Sequence, residues 1–209
     1  MNQRNYQREL DKILAGLAQK EQVPVLFLHS CCAPCSSYVL EYLSKYFQIT
    51  VFYYNPNIYP REEYEKRVQE QKRFIRELPA EYPISFMEGE FDDSRFYECT
   101  RGMEKEPEGG ARCLKCYRLR LEETARLAAV QKADFFASTL TISPLKNAGA
   151  INEIGEALAL EYGVSWLPSD FKKKNGFKRS GELSREYGLY RQNYCGCVFS
   201  KRPGEPNNA

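Results

Sequence analysis

VPVLFLHSCCAPCSSYVL, residues Val23–Leu40, decides the reading of this chain. An apolar run, Val25–Leu28, ends at His29-Ser30, and three cysteines follow closely, Cys31, Cys32 and Cys35. A helix-like pattern then begins. The stretch reads as strand, tight loop and helix. It sets thiols at a helix N-terminus, beyond the carboxyl end of a strand. In open α/β sheets that crevice is where ligands bind. The positive end of the helix dipole also stabilises thiolates there. HSCCAPCSS contains no glycine and cannot cradle phosphates, and the chain has neither a P-loop nor a G-x-G-x-x-G motif. A nucleotide cofactor at this edge is therefore disfavoured.

On the N-terminal side, Tyr6, Leu10, Ile13, Leu14 and Leu17 recur at helical spacing and predict an amphipathic helix over 4–19. On the other side, Val39, Leu43 and Tyr46 give the helix after the cysteines one apolar face, and ITVFYY, 49–54, is β-branched and aromatic enough for a second strand. Strand, helix and strand at this spacing make a βαβ unit, with parallel strands and a right-handed crossover. NPNIYP, 55–60, is a loop on the same edge as the cysteines, and Pro60 suits the start of a helix whose buried face is Tyr64, Val68, Phe74 or Ile75, and Leu78. ISFME, 84–88, reads as a third strand, and 89–112 as a polar connection containing Cys99. Cys113-Leu-Lys-Cys116 opens a helix lined by Tyr117, Leu121, Thr124 and Ala128. DFFASTL, 134–140, is a fourth strand. The loop SPLKN leads to a helix marked by Ile151, Ile154 and Leu158, and VSWL, 164–167, is a fifth strand. The alternation predicts a single α/β domain over 1–209, a three-layer sandwich with a mostly parallel five-stranded sheet in 22–170. A basic, aromatic C-terminal segment, 171–202, carries a Cys-x-Cys motif and is expected to pack over the carboxyl edge of the sheet, with 203–209 frayed.

The composition is globular, with 43% hydrophobic and 28% charged residues and 15 tyrosines. Charge is unevenly spread: residues 1–170 hold 21 Lys and Arg against 25 Asp and Glu, while 171–202 hold nine against Glu182 and Glu186. A polyanionic partner is expected at the C-terminal segment and not elsewhere. No signal peptide or membrane span is visible, which points to the cytoplasm. Eight cysteines in a reducing compartment serve as metal ligands or redox groups more often than as structural disulfides.

Two cysteine constellations carry chemistry. Cys31-Cys32 and Cys113-x-x-Cys116 each sit where a loop enters a helix, and together they supply four thiolates. Four thiolates fit tetrahedral zinc or a cubane iron–sulfur cluster. Adjacent cysteines make a poor zinc knuckle, which favours iron–sulfur. Cys35 competes as a ligand, because Cys32-x-x-Cys35 is itself a CxxC, or else packs inside the following helix. C-A-P-C also matches a thioredoxin-like redox motif, although that leaves Cys31, Cys113 and Cys116 unexplained. The second constellation is Cys195-Gly-Cys197. Cα atoms two residues apart reach at most about 7 Å, within the span of a disulfide, and Gly196 relieves crowding in so small a ring. A strained ring is easily reduced, so the pair suits cycling between dithiol and disulfide; extra metal ligands are the alternative. Around it, Lys172, Lys173, Lys174, Lys178, Arg179, Arg185, Arg191, Lys201 and Arg202 alternate with Phe171, Phe177, Tyr187, Tyr190, Tyr194 and Phe199. Basic residues neutralise phosphates and aromatics stack on unpaired bases, so the segment reads as a nucleic-acid surface, against the plainer reading of a solvated basic face. His29, the single histidine, reads as hydrogen-bonded structure, and Asp170 and Lys146 lie on edge loops as candidate proton donors.

HSCCAPCSS, YYNPNIYPREEYEKR, RCLKCYRLRLEETA, TLTISPLKN and DFKKKNGFKRSGELSREYGLYRQNYCGCVFS together resemble the QueH-type epoxyqueuosine reductases over residues 24–202. The resemblance implies a HUP-like, Rossmann-related fold without a phosphate loop. It implies reduction of epoxyqueuosine to queuosine at the wobble position of tRNA, independent of cobalamin, and it makes the tRNA anticodon loop and an external electron donor the partners. It also implies a [4Fe-4S] iron–sulfur cluster on the matching positions Cys31, Cys32, Cys113 and Cys116, a redox-active pair at Cys195 and Cys197, and room for an additional iron or zinc ion. Two readings of other classes stand beside it: a zinc-stabilised tRNA-binding module, and a general thiol–disulfide oxidoreductase.

Overall fold

A strand that must be covered on both faces has little room for polar residues, and Leu26, Phe27, Leu28 and His29 are all at most 1% exposed. They belong to the central strand of the sheet. The computed structural model describes residues 4–19 and 22–201; Arg202 and the end expected to fray at 203–209 lie outside them. Five strands, β1 (Val25–His29), β2 (Gln48–Tyr53), β3 (Ile84–Glu88), β4 (Phe135–Ser138) and β5 (Ser165–Trp166), lie in the order β3-β2-β1-β4-β5. Every pairing is parallel, with Leu26 opposite Ile49 on one side and Phe135 on the other. The chain runs outward from β1 to β3 and then returns to the other side of β1 for β4. The carboxyl ends of β1 and β4 therefore flank the topological switch point, where a crevice opens.

Among the described residues there are seven α-helices: α1 (Tyr6–Leu17), α2 (Ala33–Leu43), α3 (Arg61–Glu77), α4 (Ser94–Cys99), α5 (Ala111–Val130), α6 (Ala148–Tyr162) and α7 (Gly176–Glu186). Period-two alternation along the strands divides the core. Leu26, Leu28, Ile49 and Val51 pack with Leu10, Leu14, Leu40, Leu43 and Phe74 of α1, α2 and α3. Phe27, Phe52, Phe136 and Trp166 pack with Leu121, Ala125, Ile151 and Leu158 of α5 and α6. The result is the three-layer α/β sandwich that the alternation of elements predicts.

The differences from the sequence reading are local. The fourth strand stops at Ser138, because Thr139–Ile142 tighten into a 3-10 turn whose first N–H, from Leu140, is taken by the Ser138 hydroxyl at 3.2 Å. The polar connection 89–112 contains α4, nucleated by buried Phe96 rather than by any periodic stripe. The tail carries a helix from Gly176 that packs on α2. Among the described residues no helix is long and apolar enough to cross a membrane.

Gly155 of α6 lies against the Trp166 indole, so an added methyl would run into the ring. Gly155→Ala is expected to cost about 1–3 kcal/mol through overpacking, read as a lower urea midpoint. Gly16→Ala in α1 meets nothing within 4 Å and is expected to leave the midpoint unchanged or raise it.

Candidate active site

The loop from β1 into α2 is held by its backbone. Ser30 N donates to Phe52 O at 3.0 Å, the Asn55 side chain donates to Ser30 O at 2.8 Å, and the Tyr53 hydroxyl donates to Cys31 O at 3.3 Å. The Ser30 and Ser36 hydroxyls both donate to Gln71 Oε1, at 2.8 and 2.9 Å, tying the loop to α3. His29 is fully buried between Ser138 Oγ at 2.9 Å and Tyr54 O at 3.1 Å. Burial pushes its pKa down to about 3, with the Arg120 charge adding to the effect. It is a neutral strap joining three strand ends, as expected of a lone structural histidine.

The pinned loop gathers the sulfurs of Cys31, Cys32 and Cys35 to within 4.8 Å of one another. Cys31 and Cys32 Sγ are 3.9 Å apart, and Cys31 Sγ lies 3.8 Å from Thr139 Oγ1 at the end of β4. Cys32 and Cys35 donate to Cys31 and hold its thiol well below the ordinary value, while the same bonds push Cys32 and Cys35 upward. The trio thus favours negative charge on Cys31 over its two neighbours, beside the N-terminus of α2.

A second group faces the same edge. Cys113 and Cys116 on the first turns of α5, and Cys195 and Cys197 from the tail, line one narrow cavity together with Arg112 and Arg120. Burial pushes the Cys116 thiol up to about 12 and raises that of Cys197. The tail is fastened here at close quarters. Gly196 O accepts from Tyr59 N at 2.9 Å, Cys195 O accepts from Arg67 Nη1 at 3.4 Å, and the Tyr194 hydroxyl donates to Tyr59 O at 2.7 Å. Gly196 has φ +120°, and a Cβ there would lie 2.9 Å from Ile58 and 3.1 Å from Arg67. Cys31 and Cys32 are therefore grouped with Cys35, and Cys113 and Cys116 with Cys195 and Cys197. All eight cysteines are free thiols.

Three cations stand between and around the two groups. Arg120 is 1% exposed, donates to Cys116 O and Asn55 Oδ1 at 3.3 Å each, and has no carboxylate partner among the described residues. Burial disfavours its charge, but Cys116, Cys195 and Cys31 outweigh burial and hold the guanidinium above its ordinary pKa. Arg67 is 2% exposed, paired with Glu63 at 2.7 Å, and within electrostatic reach of Cys32. Half-buried Lys146 is also raised, because Cys195, Cys31 and Cys35 more than offset the burial that opposes its charge. Nη2 of Arg67 and of Arg120 are both buried without an acceptor. Clustered thiols, buried compensating charge and orphaned N–H donors fit a thiolate-bound, anionic metal group.

A family model described as epoxyqueuosine reductase QueH matches residues 26–203. This chain belongs to the QueH family. Among curated relatives, the epoxyqueuosine reductase QueH of Streptococcus pyogenes serotype M1 is 44% identical over 201 residues, covering 95% of this chain and 78% of the relative. That of Staphylococcus epidermidis is 42% identical over 200 residues, covering 94% and 84%, and that of Thermotoga maritima 34% over 181 residues, covering 84% and 89%.

Within this QueH chain, the other residues singled out by sequence are accounted for as follows. Asp170 is paired with Lys172 and lines a different cavity with Arg4 and Asn147. Cys99 donates to Phe96 O at 3.3 Å on α4 and does not line the cysteine cavity. The tail aromatics are mostly spent inside the fold: Phe171 is in the core, Tyr187 packs edge-on to Phe74, and the Tyr190 hydroxyl donates to Glu63 at 2.9 Å. Only Phe177 among them is exposed. Sequence reasoning passed over Arg67 and Arg120. Their signal is a charged residue within a buried helical stripe, Tyr64-Arg67-Val68-Gln71 in α3 and Tyr117-Arg120-Leu121-Thr124 in α5.

Because Gly196 holds a left-handed backbone against Ile58 and Arg67, Gly196→Ala is expected to cost about 1–3 kcal/mol locally and loosen the tail. Limited trypsinolysis should then cut at Arg191 and Lys201 several-fold faster than in the unsubstituted protein, with the sheet remaining intact.

Proposed function

We propose that this chain reduces the epoxide of epoxyqueuosine to queuosine at the wobble position of tRNA, in the cytoplasm. The observation that carries the reading is the gathering of seven cysteines and three buried or half-buried cations at the switch-point edge of a QueH-family chain. Cys31, Cys32, Cys113 and Cys116 would hold a 4Fe–4S cluster. Cys35, within 4.8 Å of Cys31 and Cys32, is the neighbouring sulfur open to an additional iron or zinc ion. When bound, the cluster supplies single-electron transfer from an external donor.

The conversion takes up two electrons and two protons and releases the epoxide oxygen as water. Cys195 and Cys197 can supply both electrons and both protons as a dithiol, ending as a disulfide. Burial keeps Cys197 protonated, as that role requires. Arg120 and Lys146 place positive charge where oxygen becomes negative as the ring opens, and the Lys146 ammonium can hand that oxygen one of the two protons and be recharged by the dithiol. Cations of the tail with no ion-pair partner among the described residues, Lys173, Lys178, Arg185, Arg191 and Lys201, are left to meet tRNA phosphates, whereas Lys172, Lys174 and Arg179 are paired within the fold.

Anaerobic purification followed by a visible spectrum, metal analysis and assay on epoxyqueuosine-bearing tRNA tests the reading. About four iron and four sulfide per chain are expected, with turnover of the tRNA. A colourless zinc protein would overturn the cluster assignment in favour of a zinc-stabilised tRNA-binding module. Cys197→Ser is expected to abolish turnover while iron content is kept; iron loss in that variant would make Cys197 a ligand instead. Cys116→Ser is expected to lose iron.

A further inference from the structure

Tyrosines are abundant here, and nearly all are packed away: of the 15, only Tyr59 and Tyr97 are exposed, at 46% and 39%. Both stand beside the Cys-x-Cys motif. Tyr59 is bonded to the motif through its backbone, donating to Gly196 O at 2.9 Å, and its own carbonyl is held by Tyr194. Tyr97 sits on α4 next to Phe96, and it lies within electrostatic reach of Tyr59 and Cys197. Phe96 points inward and packs with Cys116 and Cys197. Its ring meets Tyr97 edge-on, with centroids 5.6 Å apart at 63°, and so braces the exposed ring from behind.

Tyr97 also lines an open cavity of about 530 Å³ with Thr100, Arg101 and Phe199. Phe96 lines the narrow cavity that holds Cys113, Cys116, Cys195 and Cys197. Phe96 and Phe199 are in ring contact at 6.3 Å, so the two cavities share one aromatic wall. The outer cavity has the size of a small-molecule site. The inner one, at about 10 Å³, is too narrow for a nucleotide.

We infer that Tyr97, with Tyr59 beside it, is a stacking platform for the base of the substrate nucleotide, which lies in the outer cavity with its epoxide-bearing substituent turned toward the aromatic wall shared with the cysteine-lined one. The inference rests on the reductase reading above and adds the positioning residues to it. An exposed ring braced by a buried one contributes little to the core, yet it offers a fixed π-face to any base turned out of the anticodon stack. It also replaces the tail aromatics as the stacking surface, since all of those rings but Phe177 are used within the fold.

The test compares unsubstituted protein, Tyr97→Ala, Tyr97→Phe and Tyr59→Ala by steady-state kinetics on epoxyqueuosine-bearing tRNA, with iron content measured for each. Tyr97→Ala is expected to raise KM about 5- to 150-fold, the range of one lost base–aromatic stack, with the effect on KM rather than kcat and iron content equal to that of the unsubstituted protein. Tyr97→Phe should restore KM, because it keeps the ring, and Tyr59→Ala should raise KM less. An unchanged KM in Tyr97→Ala, or a Tyr97→Phe variant as impaired as Tyr97→Ala, overturns the platform. Absence of turnover by the unsubstituted protein overturns the reductase reading instead. In that case the dissociation constant of the same tRNA decides the platform: weaker binding by Tyr97→Ala with recovery in Tyr97→Phe supports it, and equal constants overturn it.

Discussion

Negative sulfur can be buried only where positive charge is buried with it. A desolvated thiolate or thiolate-bound metal group is costly on its own, and so is a desolvated guanidinium. Arg120 is placed so that each offsets the other. It lies under the sheet edge, bonded to Cys116 O and Asn55, with no carboxylate to neutralise it. Its counter-charge comes from the sulfurs of three different segments, Cys31, Cys116 and Cys195. Arg67 differs in having Glu63; its Nη1 donates to the Cys195 carbonyl, and its charge lies within electrostatic reach of Cys32. The two arginines come from helices on opposite faces of the sheet, α3 and α5, and converge above its carboxyl edge. Arranged in this way, the sandwich brings charge to the sulfurs from both sides.

Much of this was legible in the chain. A strand buried on both faces must be continuously apolar, and Val25–Leu28 is. Cysteines directly after such a run, at the start of a helix, mark the switch point, and the order of the remaining elements follows from alternation. What stayed hidden has physical reasons. Arg67 and Arg120 sit in buried stripes, where a charged residue is tolerated only because of partners far away in sequence. Periodicity sees the stripe and not the partners. Helix α4 is held by tertiary packing of Phe96 rather than by its own pattern. The aromatic tail was readable as a surface by composition, but composition does not say which way a ring points. Phe171 and Tyr194 point in.

The grouping of the sulfurs shows a related limit. Sequence spacing pairs Cys31 with Cys32 and Cys113 with Cys116, whereas folding adds a neighbour to each pair. Cys35 joins the first because it follows one helical turn after Cys31 and Cys32, on the same end of α2. Cys195 and Cys197 join the second because Arg67 and Tyr59 hold the tail's backbone at that place. A motif records which residues are near one another along the chain. The clamp that brings the tail to α5 is made of main-chain carbonyls, which no motif records.

Fastening the last described stretch of the chain into the site has a consequence for biosynthesis. The thiols near residue 31 leave the ribosome well before Cys195 and Cys197. The sheet's central strand likewise waits for β4 before its second side is covered. Until the tail has emerged, the early cysteines face the cell without the lining that later encloses them. The enclosed site therefore waits for Cys195 and Cys197, and a chain cut short before them would fold its sheet around an open edge.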